Sequence, residues 1–532
     1  MQEKTTVLIA GAGPTGLMMA CQLALHGIPF RIIDKSSDHT TQSRAVVVQA
    51  RSLEIFEQMG IADRAVKEGE IAQGARMYFN GSGVARIELQ DIGRGLTRFP
   101  FALMLEQSKT EALLVDFLKQ HGHEVERQTE LLSFMQNEDG VEAVIRLPTR
   151  KEETVRAAYL VSAEGAHSVV RHQLQIPFGG KTYQQSLFVL DCKVDVDLPE
   201  NELYLMLSRE GLGGLFPLTH KRYRVLGTIP EGMKDDELTF DVVQKTFAKR
   251  THMKMTLHDP EWIAVYHAHH RYASRFRIGR CFLIGDSAHI HSPVGGQGMN
   301  TGLQDAYNLA WKLALVAEGK AQDDLLDTFN DERIEVARAL VHTTDTVFHF
   351  ITNEDALTRE FRLWIFPVLL RMVLKTVERV GFLRRWVFRV VSETGIRYAK
   401  SPLSHDASFG DFPTLSVEPG DRVPFVPYLD ERGNRKNIQD LLAGTLFHLW
   451  VFTGASSSEI PHDMQKTLER YPDLVQVDVI PRLPGTEEVY EAFGIKDCGW
   501  VLIRPDMYAA ARSSSMDVTM LTSYLSRFLT QT

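Results

Sequence analysis

Cysteine, long apolar runs and surplus positive charge are all scarce in this chain, and each shortage removes a class of function. Its four cysteines, Cys21, Cys192, Cys281 and Cys498, stand far apart in 532 residues. They form neither a disulfide ladder nor a metal-ligand spacing, which predicts packing thiols in a reducing cytoplasm and no metal site. No window stays apolar over the length a bilayer demands, so no membrane span is expected. A strand-like run begins almost at Met1, which leaves no room for a signal peptide. With 68 acidic against 59 basic residues the formal net charge is −9. Nucleic acid is therefore not expected as a partner, because phosphate binding needs a basic face.

What the chain does contain is glycine in two informative places, within a length that calls for two or three domains. Residues 6–10 (T-V-L-I-A) read as a strand, followed by Gly11-Ala12-Gly13-Pro14-Thr15-Gly16, a helix to His26 and a second strand closing at Asp34. That is the βαβ setting of a dinucleotide site: Gly11 for a tight turn, Gly13 for pyrophosphate approach, Gly16 for helix packing and Asp34 for ribose hydroxyls. This half leaves NAD and FAD equally open. Far downstream, residues 281–284 read as a buried strand, Gly285-Asp286 as an acidic turn, and 293–298 (P-V-G-G-Q-G) as a glycine-rich loop opening a helix to about Gly319. Free amides at that helix start suit an anionic or electron-rich ring. A plain NAD domain has no use for this second cradle, whereas FAD does.

Taken together, G-A-G-P-T-G at 11–16, Glu164-Gly165 with Ser168 and Arg171, and Gly285-Asp286 make the chain resemble the class A flavoprotein monooxygenases. These are the aromatic-ring hydroxylases related to para-hydroxybenzoate, polyketide and rifampicin hydroxylases. The resemblance implies an α/β fold: a Rossmann-like FAD-binding domain (1–175 and 276–345), an inserted antiparallel-sheet substrate domain (176–275), a helical segment (346–400), a connector (401–430) and a C-terminal thioredoxin-like α/β domain (431–532). It implies FAD as cofactor and NADPH or NADH as co-substrate, with oxygen adding to the flavin as a C4a-hydroperoxide before transfer to a small phenolic or polyketide-like aromatic. A flavin reductase or dehydrogenase on the same scaffold, or a flavin-binding protein without turnover, stays open as an alternative. No W-x-W-x-I-P run supports a halogenase.

Residue by residue, the resemblance carries cofactor contacts to Gly11, Gly13, Gly16, Asp34, Arg44, Gln107, Glu164, Asp286, Gly295, Gly296, Gly298, Met299 and Asn300, with Arg51 as a further flavin neighbour. The backbone at Pro293 would face the reacting centre, and His291 is the titratable group nearest to it in sequence. Glu164 stands where the family usually has aspartate. By alternation or strand-end position, Phe188, Leu190, Leu205, Leu215, Phe216 and Pro217 are candidates for an apolar substrate wall. Two adjacent histidines on one strand face opposite ways, so His267, His269 and His270 do not read as metal ligands. The stretch 361–391, apolar but rich in arginine, is expected to pack into the core rather than lie on a membrane. The C-terminal unit carries Arg504-Pro505-Asp506 but no C-x-x-C, which leaves a structural or dimer-forming role and a homodimer as the assembly it allows.

Overall fold

The computed structural model describes residues 4–38, 45–229, 232–291, 294–352, 360–404, 408–430, 432–454 and 460–531. Arg44 and Pro293 lie outside them. The chain begins with β1 (Lys4–Ala10), α1 (Pro14–Leu25) and β2 (Phe30–Asp34). Val7, Leu8 and Ile9 are buried, as a central parallel strand covered on both faces requires. After α2 (Ala50–Gln58) comes the hairpin β3 (Gly74–Phe79) and β4 (Ser82–Glu88), then α3 (Gln107–Gln120) and the long β5 (Glu152–Ser162). β5 lies parallel to β1, which lies parallel to β2.

Four strands follow, β6 (Phe178–Val196), β7 (Glu202–Ser208), β8 (Gly211–Leu218) and β9 (Arg222–Thr228), then α4 (Phe240–Thr251) and β10 (Met255–Ala273). They form a second sheet in the order β10-β6-β9-β8-β7-β3-β4, so its far edge comes from the hairpin at 74–88, well upstream in the chain. β11 (Cys281–Leu283) then returns to the first sheet beside β5. It hands the chain to the second cradle and α5 (Gly298–Ala317), which is followed by α6 (Asp327–Thr352).

Next come α7 (Phe366–Arg379) and α8 (Gly381–Val391). Core packing was expected here, and it holds on one side only. Leu363, Phe366 and Leu370 cover Phe79, Leu207 and Leu212, while the opposite side is left to solvent. The apolar side of α7 is opposed by Arg371, Lys375, Glu378 and Arg379 but is wider than the stripe the sheet covers, and periodicity alone does not say how much of it finds a partner.

The C-terminal unit is β12 (Phe447–Phe452), α9 (His462–Leu468), β13 (Val475–Ile480), α10 (Glu487–Phe493), β14 (Gly499–Ile503), β15 (Ala509–Ser513) and α11 (Thr519–Phe528). β12 and β13 are parallel, while β14 and β15 run antiparallel beside β12. The order is therefore β-α-β-α-β-β-α, with α10 added between the two pairs of strands that the sequence suggested. Among the described residues no helix is long and apolar enough to cross a membrane.

Candidate functional site

The three glycines of the first turn divide their work by geometry. A Cβ on Gly11 would lie 2.3 Å from the Ala163 carbonyl oxygen, and one on Gly16 would lie 1.9 Å from the Gly11 oxygen. Both positions are closed by the protein's own backbone, and Gly11 also holds φ at 101°. A Cβ on Gly13 meets nothing within 4 Å. The open side of the turn therefore lies at Gly13, directly over the start of α1, whose first-turn amides have no intrahelical acceptor. Asp34 stands at the end of β2, where its carboxylate accepts from the Ala12 N–H at 2.6 Å and the Ser36 N–H at 2.7 Å. The turn and the acid are thus fixed to one another, as a dinucleotide's pyrophosphate and ribose need.

The Glu164 loop acts as a strap. Glu164 accepts from the Ser162 hydroxyl at 2.8 Å, the Ser168 hydroxyl at 3.0 Å and the Val169 and Val170 amides at 3.3 and 3.2 Å. The carboxylate therefore caps the short helix that follows, and its influence on any ligand runs through the loop. Arg171 donates to the Ser287 carbonyl at 3.1 Å, and the Gly165 amide donates to the Ser287 hydroxyl at 3.0 Å. These bonds bring the middle motif and the Gly285-Asp286 turn together.

At that turn a Cβ on Gly285 or on Gly302 would fall 2.6 or 2.3 Å from the Thr15 hydroxyl. Helix α1, the acidic turn and α5 thus meet around one threonine, and the two cradles share a wall. Asp286, in the middle of the turn, is exposed. Gly285 donates its N–H to Asp305 at 2.9 Å, and Asp305 also accepts from His289 and Arg333, both at 2.7 Å. Burial would raise the Asp305 pKa, but His289 and Arg333 outweigh it and hold the carboxyl below its usual range.

The glycine loop is held just as firmly. The buried Asn300 accepts from the Gln49 amide and the Ser52 hydroxyl, each at 2.8 Å, and donates to the carbonyls of Val47 at 2.9 Å and Gly296 at 2.8 Å. Gln49 donates to the Gly295 carbonyl at 3.0 Å. Gly296 sits at φ 62°, with Val47 2.8 Å from where its Cβ would be. Gly298 starts α5 with the His291 ring 3.3 Å from its missing Cβ, and Met299 packs at the margin of the nucleotide core. Gln107 accepts from the Ala45 amide at 3.2 Å and donates to Glu111 at 2.9 Å, fixing the strand that enters Val47.

Four of these polar residues were missed in the sequence: His289, Asp305, Arg333 and Glu393. The available signal was a buried-looking helix, α5, that nevertheless carries Asp305 and Lys312. Glu393 is buried and accepts from the Thr301 hydroxyl at 2.8 Å and from the Gln304 amide. Burial pushes its carboxyl up to about 8 against those donors. The unfolded chain releases this proton above the ordinary 4.5, while the folded chain keeps it to about 8, so stability falls as pH rises through that window. Glu393→Gln is expected to melt like the parent at about pH 5 and higher than it at about pH 9, by on the order of 3 kcal/mol. Thermal unfolding at both pH values tests this, and an equal effect at both would contradict it.

The substrate wall needs two corrections. Phe188, Leu190 and Leu215 pack under α4 against Val243 and Phe247, and Pro217 shares Leu215's side of β8. The opposite face carries Phe216, clustered with Val46, Val47 and Met104, and Leu205, clustered with Met77 and Leu226. That face also carries a buried pair, Arg224 bonded to both oxygens of Asp191 at 2.7–2.8 Å, with Arg224 donating to the Ala45 carbonyl at 2.9 Å. Arg51, expected as a flavin neighbour, sits elsewhere. It is buried against Glu54 at 3.1 Å and the Asp506 carbonyl at 2.8 Å, at the seam with the C-terminal unit.

Comparison with known proteins agrees with this geometry. The FAD binding domain family matches residues 4–344. The 6-methylpretetramide 4-monooxygenase of Streptomyces rimosus is 32% identical over 98% of this chain and 92% of its own length. The pentachlorophenol 4-monooxygenase of Sphingobium chlorophenolicum is 29% identical over 95% and 93%. Among solved structures, the anhydrotetracycline hydroxylase OxyS from Streptomyces rimosus matches with a TM-score of 0.78 at 26% identity, covering 99% of both chains. A two-part cradle fused at Thr15, within a likeness that runs through the C-terminal unit, has one reading: the chain belongs to the class A flavoprotein monooxygenases, the FAD-dependent aromatic hydroxylases.

Proposed function

We propose that this enzyme hydroxylates a phenolic, polyketide-like aromatic, taking electrons from NADPH or NADH and one oxygen atom from O2. In balance, an aromatic C–H, O2, NAD(P)H and a proton become C–OH, water and NAD(P)+. The observation that carries the reading is the seam at residues 45–48. Gly296 closes on Val47 from the cofactor side, and Arg224 holds Ala45 from the sheet side. The cofactor's reactive end and the substrate wall are thereby parts of one rigid body, as proximity catalysis requires. Relatives named for tetracycline-type and phenolic substrates support the substrate class.

Bound FAD supplies the two-electron chemistry that links NAD(P)H to oxygen. The open face of Gly13 and the first-turn amides of Thr15 and Gly16 receive the pyrophosphate, and Asp34 takes the ribose hydroxyls. Asp286 holds the ribityl or pyrophosphate end. The backbone from Gly295 through Gly298 to Met299 and Asn300 approaches the isoalloxazine, where the dipole of α5 favours negative charge. Gln107 and Glu164 position the segments around these contacts. His291 takes up the phenol proton on its imidazole. The paired, buried Asp191 and Arg224 keep the wall dry and fixed in register.

Incubation under heavy-isotope oxygen gas tests the reaction. The expected product of a fused-ring phenol carries one labelled atom, and NAD(P)H consumption rises when the aromatic is added. A product without label, formed while NAD(P)H is consumed, would refute oxygen insertion.

A further inference from the structure

Helices α7 and α8 are apolar on two sides, and this chain covers one. Inward, Leu363, Phe366 and Leu370 close over the second sheet, and the Phe388 ring presses on Gly93. Outward, Trp364 is 64% exposed, Met372 63%, Phe382 78% and Trp386 56%. Twelve of the sixteen large apolar side chains exposed among the described residues lie between 361 and 391. Phe382, Trp386 and Val390 recur every four residues and form one outer stripe on α8, and Val368 and Met372, also four apart, are exposed on α7. A patch of this extent on a soluble chain marks a surface that is covered in use.

Charge identifies the cover. Residues 360–391 carry seven Arg or Lys against two Glu, on a chain whose net charge is −9. Arg384, Arg385 and Arg389 are exposed beside Phe382 and Trp386. A second copy docked face to face would cover the apolar stripe but would bring these same cations together. An anionic bilayer satisfies both features at once: the stripe enters the headgroup boundary, the tryptophans sit at interfacial depth, and the guanidiniums meet lipid phosphates.

We infer that the α7–α8 surface seats this enzyme on an anionic lipid bilayer, as a peripheral protein. The surface borders the cofactor loop, because Gln297 donates its side-chain amide to the Val390 carbonyl at 3.1 Å. The lipid contact itself does not depend on the proposed reaction.

The test is flotation of the full-length, FAD-loaded protein with vesicles of phosphatidylcholine alone or mixed with phosphatidylglycerol. The protein is expected to float with the mixed vesicles, to stay behind with the neutral ones, and to be released at high salt as screening shortens the electrostatic reach. Tryptophan emission should shift to the blue on binding, and the shift should shrink in Trp386→Phe. Arg384→Glu with Arg385→Glu should lower partitioning by at least about twentyfold, given roughly a factor of five per lost cation. Phe382→Ser with Trp386→Ser should do the same while FAD content and melting temperature stay unchanged. A yellow, folded protein that ignores anionic vesicles at low salt would overturn the inference. So would a concentration-dependent dimer that the arginine variants leave intact and Phe382→Ser with Trp386→Ser abolishes.

Discussion

Gly13→Val is expected to purify folded and colourless. Its backbone angles, φ −74° and ψ −176°, are open to any residue, and a Cβ there meets nothing within 4 Å. The fold has no objection to the side chain beyond the weaker helix cap that valine provides, about 1 kcal/mol. The objection comes from the ligand, since the methyl groups occupy the space through which a pyrophosphate approaches the amides of α1. Overfilling a close contact costs about 1–3 kcal/mol, or about 5- to 150-fold in affinity for FAD. The neighbouring glycines give the contrast. Gly16→Ala puts its methyl 1.9 Å from the Gly11 oxygen, and Gly11→Ala adds strain at φ 101° to a clash with Ala163. Both should lose soluble protein rather than only colour. Visible absorbance per protein and melting temperature, measured on all three, separate the cases. A Gly13→Val protein as yellow as the parent would mean that no cofactor crosses this turn.

The contrast among the three glycines also explains what could be read from the sequence. Gly11 to Asp34 and Gly285 to Asn300 were legible because each cradle is continuous in the chain, and local spacing alone builds a turn onto a helix. The strands of the second sheet were legible for the same reason. Which face of that sheet α4 covers was not. Alternation groups Phe188 with Leu190 and Leu205 with Leu203, but only the later α4, folding over Phe188, decides that the first pair is covered. The polar keystones were hidden by distance. Asp305 gains meaning from Gly285, His289 and Arg333 together, and nothing on α5 itself announces those partners. Arg51 resembled a flavin contact because its true partner, the Asp506 carbonyl, lies 455 positions away. The structural role left open for the C-terminal unit takes a definite form here, since its R-P-D turn bonds Glu332 and Arg51 in the first part of the chain.

Arg504→Met is expected to be the most destabilising single change outside the cradles. Arg504 bonds Glu332 through both terminal nitrogens at 2.6 and 2.9 Å, and Asp506 at 2.6 and 2.9 Å. Lys312 on α5 donates to Glu332 at 2.7 Å, Ser401 donates to it at 2.6 Å, and Asn308 bridges Glu332 at 2.7 Å and Asp506 at 3.2 Å. All four charged groups are buried, two of each sign. Burial draws the Lys312 amine down to about 8 despite Glu332, a sign of how dry the cluster is. Removing Arg504 leaves two carboxylates facing one lysine with no water to receive the imbalance, a loss of about 3–5 kcal/mol. For a protein of this size that is a fall of about 3–5 °C in melting temperature. The break should start at the seam, so limited proteolysis should cut the proline-rich connector at 408–430 earlier than in the parent. Because α5 carries the glycine loop at its other end, FAD should dissociate faster as well. Arg504→Met combined with Glu332→Leu removes one charge of each sign and leaves Lys312 with Asp506. It should recover part of the loss, since an apolar pair costs less in this interior than one unpaired charge. A double variant less stable than the single would show that the cluster acts through its hydrogen-bond geometry rather than its charge balance.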